Sequence, residues 1–198
     1  MTQPSWSDTD SRLRLAIIVG STRDGRLAPA VAGWFTARAR ARTDLAVDLI
    51  DLADVRLPEV FSRTRTPEVD ALGARLAAAD AFVVITPEYN HSFPAPLKSA
   101  IDWFSNEWRA KPIGFVSYGG VGGGLRAVEQ LRLVFAELHA MTVRDTVSFH
   151  SVWTQVSPEG RLLEVEGARR AAFVLLDQVA WWAEALKDAR ARRPYAAA

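Results

Sequence analysis

The chain has 198 residues, 49% of them hydrophobic and 24% charged, and a formal net charge of +1. This suits one globular domain and supplies no cationic surplus for nucleic acid or acidic membranes. The absence of cysteine excludes disulfides, thiolate nucleophiles and cysteine-based metal sites, and the histidines at 91, 139 and 150 lack metal-ligand spacing. No signal-peptide pattern and no membrane-length apolar run is visible, so a cytoplasmic protein without nucleic-acid or membrane partners is expected.

Residues 1–12 are polar and read as a disordered tail. Leu13 to Gly20 is a β-branched run ending in glycine, a buried strand. The polar loop Ser21 to Leu27 leads to a helical pattern over Pro29 to Arg42. Leu45 to Asp51 is the second strand, Leu52 to Pro67 is irregular, and Glu68 to Ala79 is an Ala/Leu-rich helix. The third strand, Ala81 to Thr86, runs into a proline-rich loop, and Pro94 or Pro96 opens a helix to about Asn106. Pro112 to Tyr118 is the fourth strand, followed by the glycine loop Gly119 to Gly124 and a helix over Leu125 to Ala140. Thr142 to Phe149 is the fifth strand, His150 to Gly160 is irregular, and Gly167 to about Arg192 is a long amphipathic helix. Residues 193–198 are expected to fray, leaving 13–192 as a single domain.

Strands alternate with helices five times, which implies a parallel sheet covered on both faces. Right-handed crossovers restrict this to a doubly wound α/β sheet. The order 2-1-3-4-5 places the topological switch point between strands 1 and 3. The loops after strands 1, 3 and 4 then share one edge, and they are the three most unusual stretches of the chain.

Each loop has a binding reading and a bland one. In the first, Ser21 and Thr22 offer hydroxyls, Arg23 and Arg26 offer cationic forks, and a helix N-terminus follows; this suits a phosphate, or is a surface loop with solvated arginines. Neither this loop nor the glycine loop has dinucleotide-fingerprint or Walker spacing. In the second, Pro87 and Pro94 stiffen a segment in which Tyr89 can lie against a flat ring and Asn90 can donate and accept; otherwise it is a proline-rich turn. The third has five glycines in six positions, which lets a flat ligand approach the main chain or makes a flexible connector. His91 reads as structural or solvated, Lys98 and Asp102 as an exposed ion pair, and Arg126 as either a second phosphate contact or a surface arginine.

The sequence resembles the NADPH-dependent FMN reductase family, flavodoxin-like flavoproteins that include small quinone and azo-dye reductases. The resemblance is carried by Gly20-Ser21-Thr22-Arg23, by Thr86-Pro87-Glu88-Tyr89-Asn90 with Pro94 and Leu97-Lys98-Ser99-Ala100-Ile101-Asp102-Trp103, and by Ser117-Tyr118-Gly119-Gly120 with Gly123-Gly124. It implies an FMN phosphate held by Ser21, Thr22, Arg23 and the N–H groups through Arg26. Pro87, Glu88, Tyr89 and Asn90 would line the isoalloxazine, largely through the main chain. Ser117, Tyr118, Gly119, Gly120 and Gly123 would face its other edge. Gly25 and Arg26 stand where many members carry Ser or Asn, and Ser99 where Asn is common. The implied reaction passes a hydride from NADPH or NADH to FMN and then electrons to a quinone, azo compound or free flavin. No side chain is assigned as catalytic, since the flavin carries the chemistry. The competing readings are a flavodoxin-like electron carrier and a flavin-binding sensor, both without nicotinamide turnover. The resemblance also implies a homodimer or homotetramer built through the helices after strands 3 and 4. The helix that carries Trp103, with Trp108 just beyond it, is consistent with that, and the tryptophans at 103, 108, 153, 181 and 182 read as core or subunit contact.

Overall fold

The computed structural model describes residues 11–62, 64–164 and 166–195. The expected tail up to residue 10, and residues 196–198, lie outside them. Five strands, β1 (Leu13–Val19), β2 (Leu45–Asp51), β3 (Ala81–Pro87), β4 (Pro112–Tyr118) and β5 (Met141–Phe149), form one parallel sheet in the order β2-β1-β3-β4-β5. The connecting helices are α1 (Ala28–Arg40), α2 (Pro67–Ala78), α3 (Ala95–Asp102), α4 (Leu125–Glu137) and α5 (Glu166–Arg192). This is the doubly wound, flavodoxin-like architecture expected.

Successive side chains of a strand point to opposite faces, so the unbroken apolar runs feed two cores. Leu15, Ile17, Val83 and Ile85 pack with Val31 and Phe35 of α1 and Leu175 and Val179 of α5. Ala16, Ile18, Phe82 and Val84 pack with Leu72 of α2, Ile101 of α3 and Leu131 and Phe135 of α4. Two polar devices fix α2 against the sheet. Arg75 makes a buried bidentate pair with Asp48 of β2 at 2.8 Å to each oxygen. The buried Lys111 ammonium donates to the helix-terminal carbonyls of Leu76 and Ala77 at 3.0 and 2.9 Å.

The largest departure from the sequence reading is α3, which stops at Asp102 instead of Asn106. Ser105 and Asn106 are turn formers, and the Glu107 carboxylate accepts the Ser105 N–H. The chain then folds Trp108 back so that its indole N–H bonds the carbonyls of Ile101 and Phe104 at 3.2 and 3.1 Å. Of the two readings of these tryptophans, core or subunit contact, Trp103 and Trp108 take the first and are buried in the core of the chain. At the other end, Tyr195 is folded onto His139, with Oη 2.8 Å from Nδ1, where fraying was expected. Among the described residues no helix is long and apolar enough to cross a membrane.

Candidate functional site

Because β1, β3 and β4 are adjacent and parallel, their following loops meet at the carboxyl edge of the sheet, beside the switch point. The first loop runs from Gly20 to Leu27. Its backbone N–H groups at Thr22, Arg23, Asp24, Arg26 and Leu27 have no acceptor among the described residues; that of Gly25 bonds the Asp24 carboxylate. Helix α1 follows with no side-chain cap and no acidic residue in its first turn. N–H groups without an acceptor ahead of an uncapped helix N-terminus are the kind of feature that can bind an anion.

The loop's two arginines separate. Arg23 has no carboxylate partner among the described residues, and its guanidinium carbon lies 5.9 Å from the centre of the Tyr89 ring. Arg26 is engaged elsewhere: Nη1 and Nη2 grip Asp51, at the end of β2, at 2.6 and 2.8 Å, and Nη1 also reaches the Ser21 carbonyl at 2.5 Å. The bond to Asp51 raises the Arg26 pKa against the opposing effect of burial. The Arg26 fork thus braces the loop, while its backbone N–H is left without an acceptor among the described residues. Ser21 is likewise redirected: it is fully buried, and its hydroxyl shares a 2.9 Å hydrogen bond with the Tyr89 phenol across the two loops. Thr22 stays exposed, on the wall of a cleft of about 540 Å³ shared with Leu52, Arg56 and Pro96.

The second loop is a tight turn. Tyr89 and Ser92 exchange backbone hydrogen bonds at 2.8 and 3.0 Å, and the central residues Asn90 and His91 have φ of 50° and 68°. Positive φ at both centres defines the I′ geometry, which Asn tolerates well. Gln130 of α4 pins the turn, donating to the His91 carbonyl at 2.8 Å and accepting from the Ser92 hydroxyl at 2.6 Å. The Glu88 N–H is used by the Tyr118 carbonyl, and the Pro87 carbonyl accepts from Thr86 Oγ1. The Glu88 carboxylate binds Arg126 at 2.7 Å, so Arg126 braces the glycine loop's helix and is not a spare phosphate contact. What the turn still offers a ligand is the Asn90 and His91 N–H groups, the Asn90 side chain and the Tyr89 ring.

In the third loop three expectations change. The Ser117 hydroxyl is buried and donates to the Gly123 carbonyl at 2.8 Å, alongside Ser148 at the same distance. The Tyr118 side chain turns into the core, where burial pushes its phenol pKa up; the hydroxyl lies beside Ser21 without a formed hydrogen bond. The Gly119 N–H and carbonyl are both spent, on Phe149 and Val152. The N–H groups of Gly120, Val121, Gly122 and Gly124 have no acceptor among the described residues, and the first three form a consecutive run. Gly123 and Gly124 hold φ of 58° and 85°, and a Cβ on Gly124 would stand 2.7 Å from that of Ser117. The loop is therefore folded closely onto the strand ends.

Sequence reasoning missed Asp51, Gln130 and His150 as supports. An acid closing the strand next to β1 was a usable signal for Asp51. Gln130 on an amphipathic helix carried none. Among the described residues no cluster of acids and histidines could hold a metal.

A loop of N–H groups with Arg23 beside it, an aromatic turn and a row of N–H groups without acceptors among the described residues, all on one edge, fit FMN. The loop N–H groups and Arg23 would hold its phosphate, and the second and third loops would flank its ring. The model of the family described as NADPH-dependent FMN reductase matches residues 13–154. An NAD(P)H-dependent FMN reductase of Schizosaccharomyces pombe is 37% identical over 56% of this chain and 60% of its own length. The match to a Nectria relative covers 65% of that protein, so this chain spans less than two thirds of either. A probable NADPH:quinone oxidoreductase of rice, Oryza sativa subsp. japonica, is 33% identical over 83% of this chain and 89% of its own. Among solved structures, the flavoenzyme FerB, an NAD(P)H:(acceptor) oxidoreductase of Paracoccus denitrificans, superposes with a TM-score of 0.70 at 24% identity, covering 87% of this chain and 98% of that one. The loops and the match across residues 13–154 agree, and the chain belongs to the NADPH-dependent FMN reductase family.

Proposed function

We propose that the protein is an FMN-dependent NAD(P)H oxidoreductase that reduces a small organic acceptor such as a quinone, an azo compound or free flavin. The observation that carries this is the two sets of N–H groups without an acceptor among the described residues, those of Thr22, Arg23, Asp24, Arg26 and Leu27 and those of Gly120 to Gly122, on either side of the Tyr89-Asn90 turn. Bound FMN supplies the hydride chemistry between the nicotinamide and the acceptor. The first loop binds the phosphate and so fixes the ring's position along the edge. The Asn90 and Gly120 N–H groups are placed to stabilise negative charge at the ring edge without a titrating side chain. In the net reaction NAD(P)H gives a hydride, one proton comes from solvent, and a quinone acceptor becomes its hydroquinone.

The relatives' names support the NAD(P)H and quinone parts of this reading. A homodimer or homotetramer belongs to the same proposal; Leu133 on α4 and Phe173 and Trp181 on α5 are exposed apolar side chains suited to burial between subunits. A cytoplasmic location follows from the need for a cellular NAD(P)H pool. The test is a visible spectrum of the FMN-reconstituted protein under anaerobic NADPH, then on addition of a quinone. Bleaching followed by recovery is expected. Failure to take up FMN, or a flavin that NADPH leaves oxidised, would overturn the reading.

A further inference from the structure

The segment after β5 carries an exposed tryptophan that neither the sheet nor the two cores use. Trp153 is 60% exposed, and its indole N–H has no partner among the described residues. Its six-membered ring lies over Gly120, where an added Cβ would meet Cη2 at 3.4 Å and Cζ3 at 4.0 Å. The segment that carries it is tied to the glycine loop. The Ser151 and Val152 N–H groups bond the carbonyls of Gly120 and Gly119 at 2.8 and 3.1 Å, and His150 Nδ1 lies 2.7 Å from the Val121 carbonyl. Within the segment, Gln155 donates to the His150 carbonyl at 2.6 Å, the Thr154 N–H to that of Ser151 at 2.9 Å, and Val152 is buried as an anchor. Trp153 is thus a large flat apolar side chain on a fixed backbone, next to the donors of the third loop.

We propose that Trp153 is the specificity-determining wall for a flat aromatic acceptor, a quinone, which it stacks against at the Gly120 side of the site. This rests on the flavin-reductase reading above. A quinone has no charged tail, so its affinity must come from apolar contact and ring stacking, the two things an exposed indole offers. A nicotinamide dinucleotide brings its own phosphates and needs the wall less. A small inorganic oxidant such as ferricyanide needs it not at all.

The test uses the FMN-bound protein and its Trp153→Ala and Trp153→Phe variants. Calorimetric titration of the oxidised proteins with 1,4-naphthoquinone reads binding without turnover. We expect Trp153→Ala to raise the naphthoquinone Kd about tenfold, and to lower the ratio of naphthoquinone to ferricyanide turnover by a similar factor. Trp153→Phe should stay within about threefold of wild type because it keeps a stacking ring. Unchanged naphthoquinone binding in Trp153→Ala overturns the proposal. So does an equal loss with both acceptors, or a matching rise in the KM for NADPH, which would make Trp153 a general or nicotinamide contact. A wild-type flavin that NADPH does not reduce refutes the reductase reading alone, and the calorimetric comparison still judges Trp153.

Discussion

The first loop carries two arginines three residues apart, and the structure gives them opposite duties. Arg23→Ala removes a guanidinium with no carboxylate to pair with among the described residues. Its loss should be felt only by the ligand. A charge-assisted hydrogen bond to phosphate is worth about 1.5–3 kcal/mol, so FMN affinity should fall by roughly 10- to 150-fold. Stability of the FMN-free protein should change by less than about 0.5 kcal/mol, as for most exposed substitutions. Arg26→Ala removes bonds of 2.5, 2.6 and 2.8 Å to Ser21 and Asp51. It also leaves the Asp51 side chain, only 20% exposed, without its partner. The cost lies between an exposed pair, ~1 kcal/mol, and a buried one, ~3–5 kcal/mol; about 2 kcal/mol is expected. Urea titration of the FMN-free proteins reads stability, and flavin-fluorescence titration reads FMN affinity. An Arg23→Ala protein with wild-type FMN affinity refutes the reasoning. So does an Arg26→Ala protein of full stability that has lost FMN.

Two glycines separate backbone conformation from packing. Gly25 has φ +63° with nothing within 4 Å of an added Cβ, whereas at Gly124, φ +85°, that atom would meet Ser117 Cβ at 2.7 Å and the Tyr118 nitrogen at 2.8 Å. Gly25→Ala should cost about 1–2 kcal/mol for the left-handed conformation alone, and Gly124→Ala about 2–5 kcal/mol because the clash adds to it; equal losses in urea titration would contradict this. Away from the site, burial, helped by the nearby Arg190, lowers the Lys111 pKa to about 8, against about 10.4 for an unfolded lysine. Between these values the unfolded chain holds the extra proton, so stability rises with pH. Relative to Lys111→Met, the wild type should gain about 2 kcal/mol from pH 8 to 10; parallel stability curves for the two proteins would exclude a depressed lysine.

The strands were legible because runs such as LRLAIIV and AFVVITP are short, β-branched and nearly all apolar, which suits a strand buried on both faces. Their alternation with helices then gives a parallel doubly wound sheet, which five strands suit in the order β2-β1-β3-β4-β5, and that order brings the three loops together. The identity of the loops was legible too, since prolines, an Asn and clustered glycines announce unusual backbone. The division of labour inside them was not. Arg23 and Arg26 look alike in sequence, and what separates them is Asp51, on a neighbouring strand. Tyr118 looks like a ring-facing aromatic, but parity sends it to the face that packs α1 and α5, with Val116. Ser117 looks available until the glycine loop folds its carbonyl onto the hydroxyl. Asn90 and His91 form a I′ turn without glycine, so the usual signal for that turn was missing. The tryptophans followed burial and not spacing: Trp103 and Trp108 went to the core, and Trp153 and Trp181 to the surface.

A crystal structure of the FMN complex tests the central claim most directly. The account predicts the phosphate within hydrogen-bond distance of the backbone N–H groups between Thr22 and Leu27 and of Arg23. It places the ring edge beside the Asn90 and Gly120 N–H groups. A phosphate bound in the neighbouring cleft of Leu52, Arg56 and Pro96, or a ring held away from the Tyr89-Asn90 turn, would contradict it.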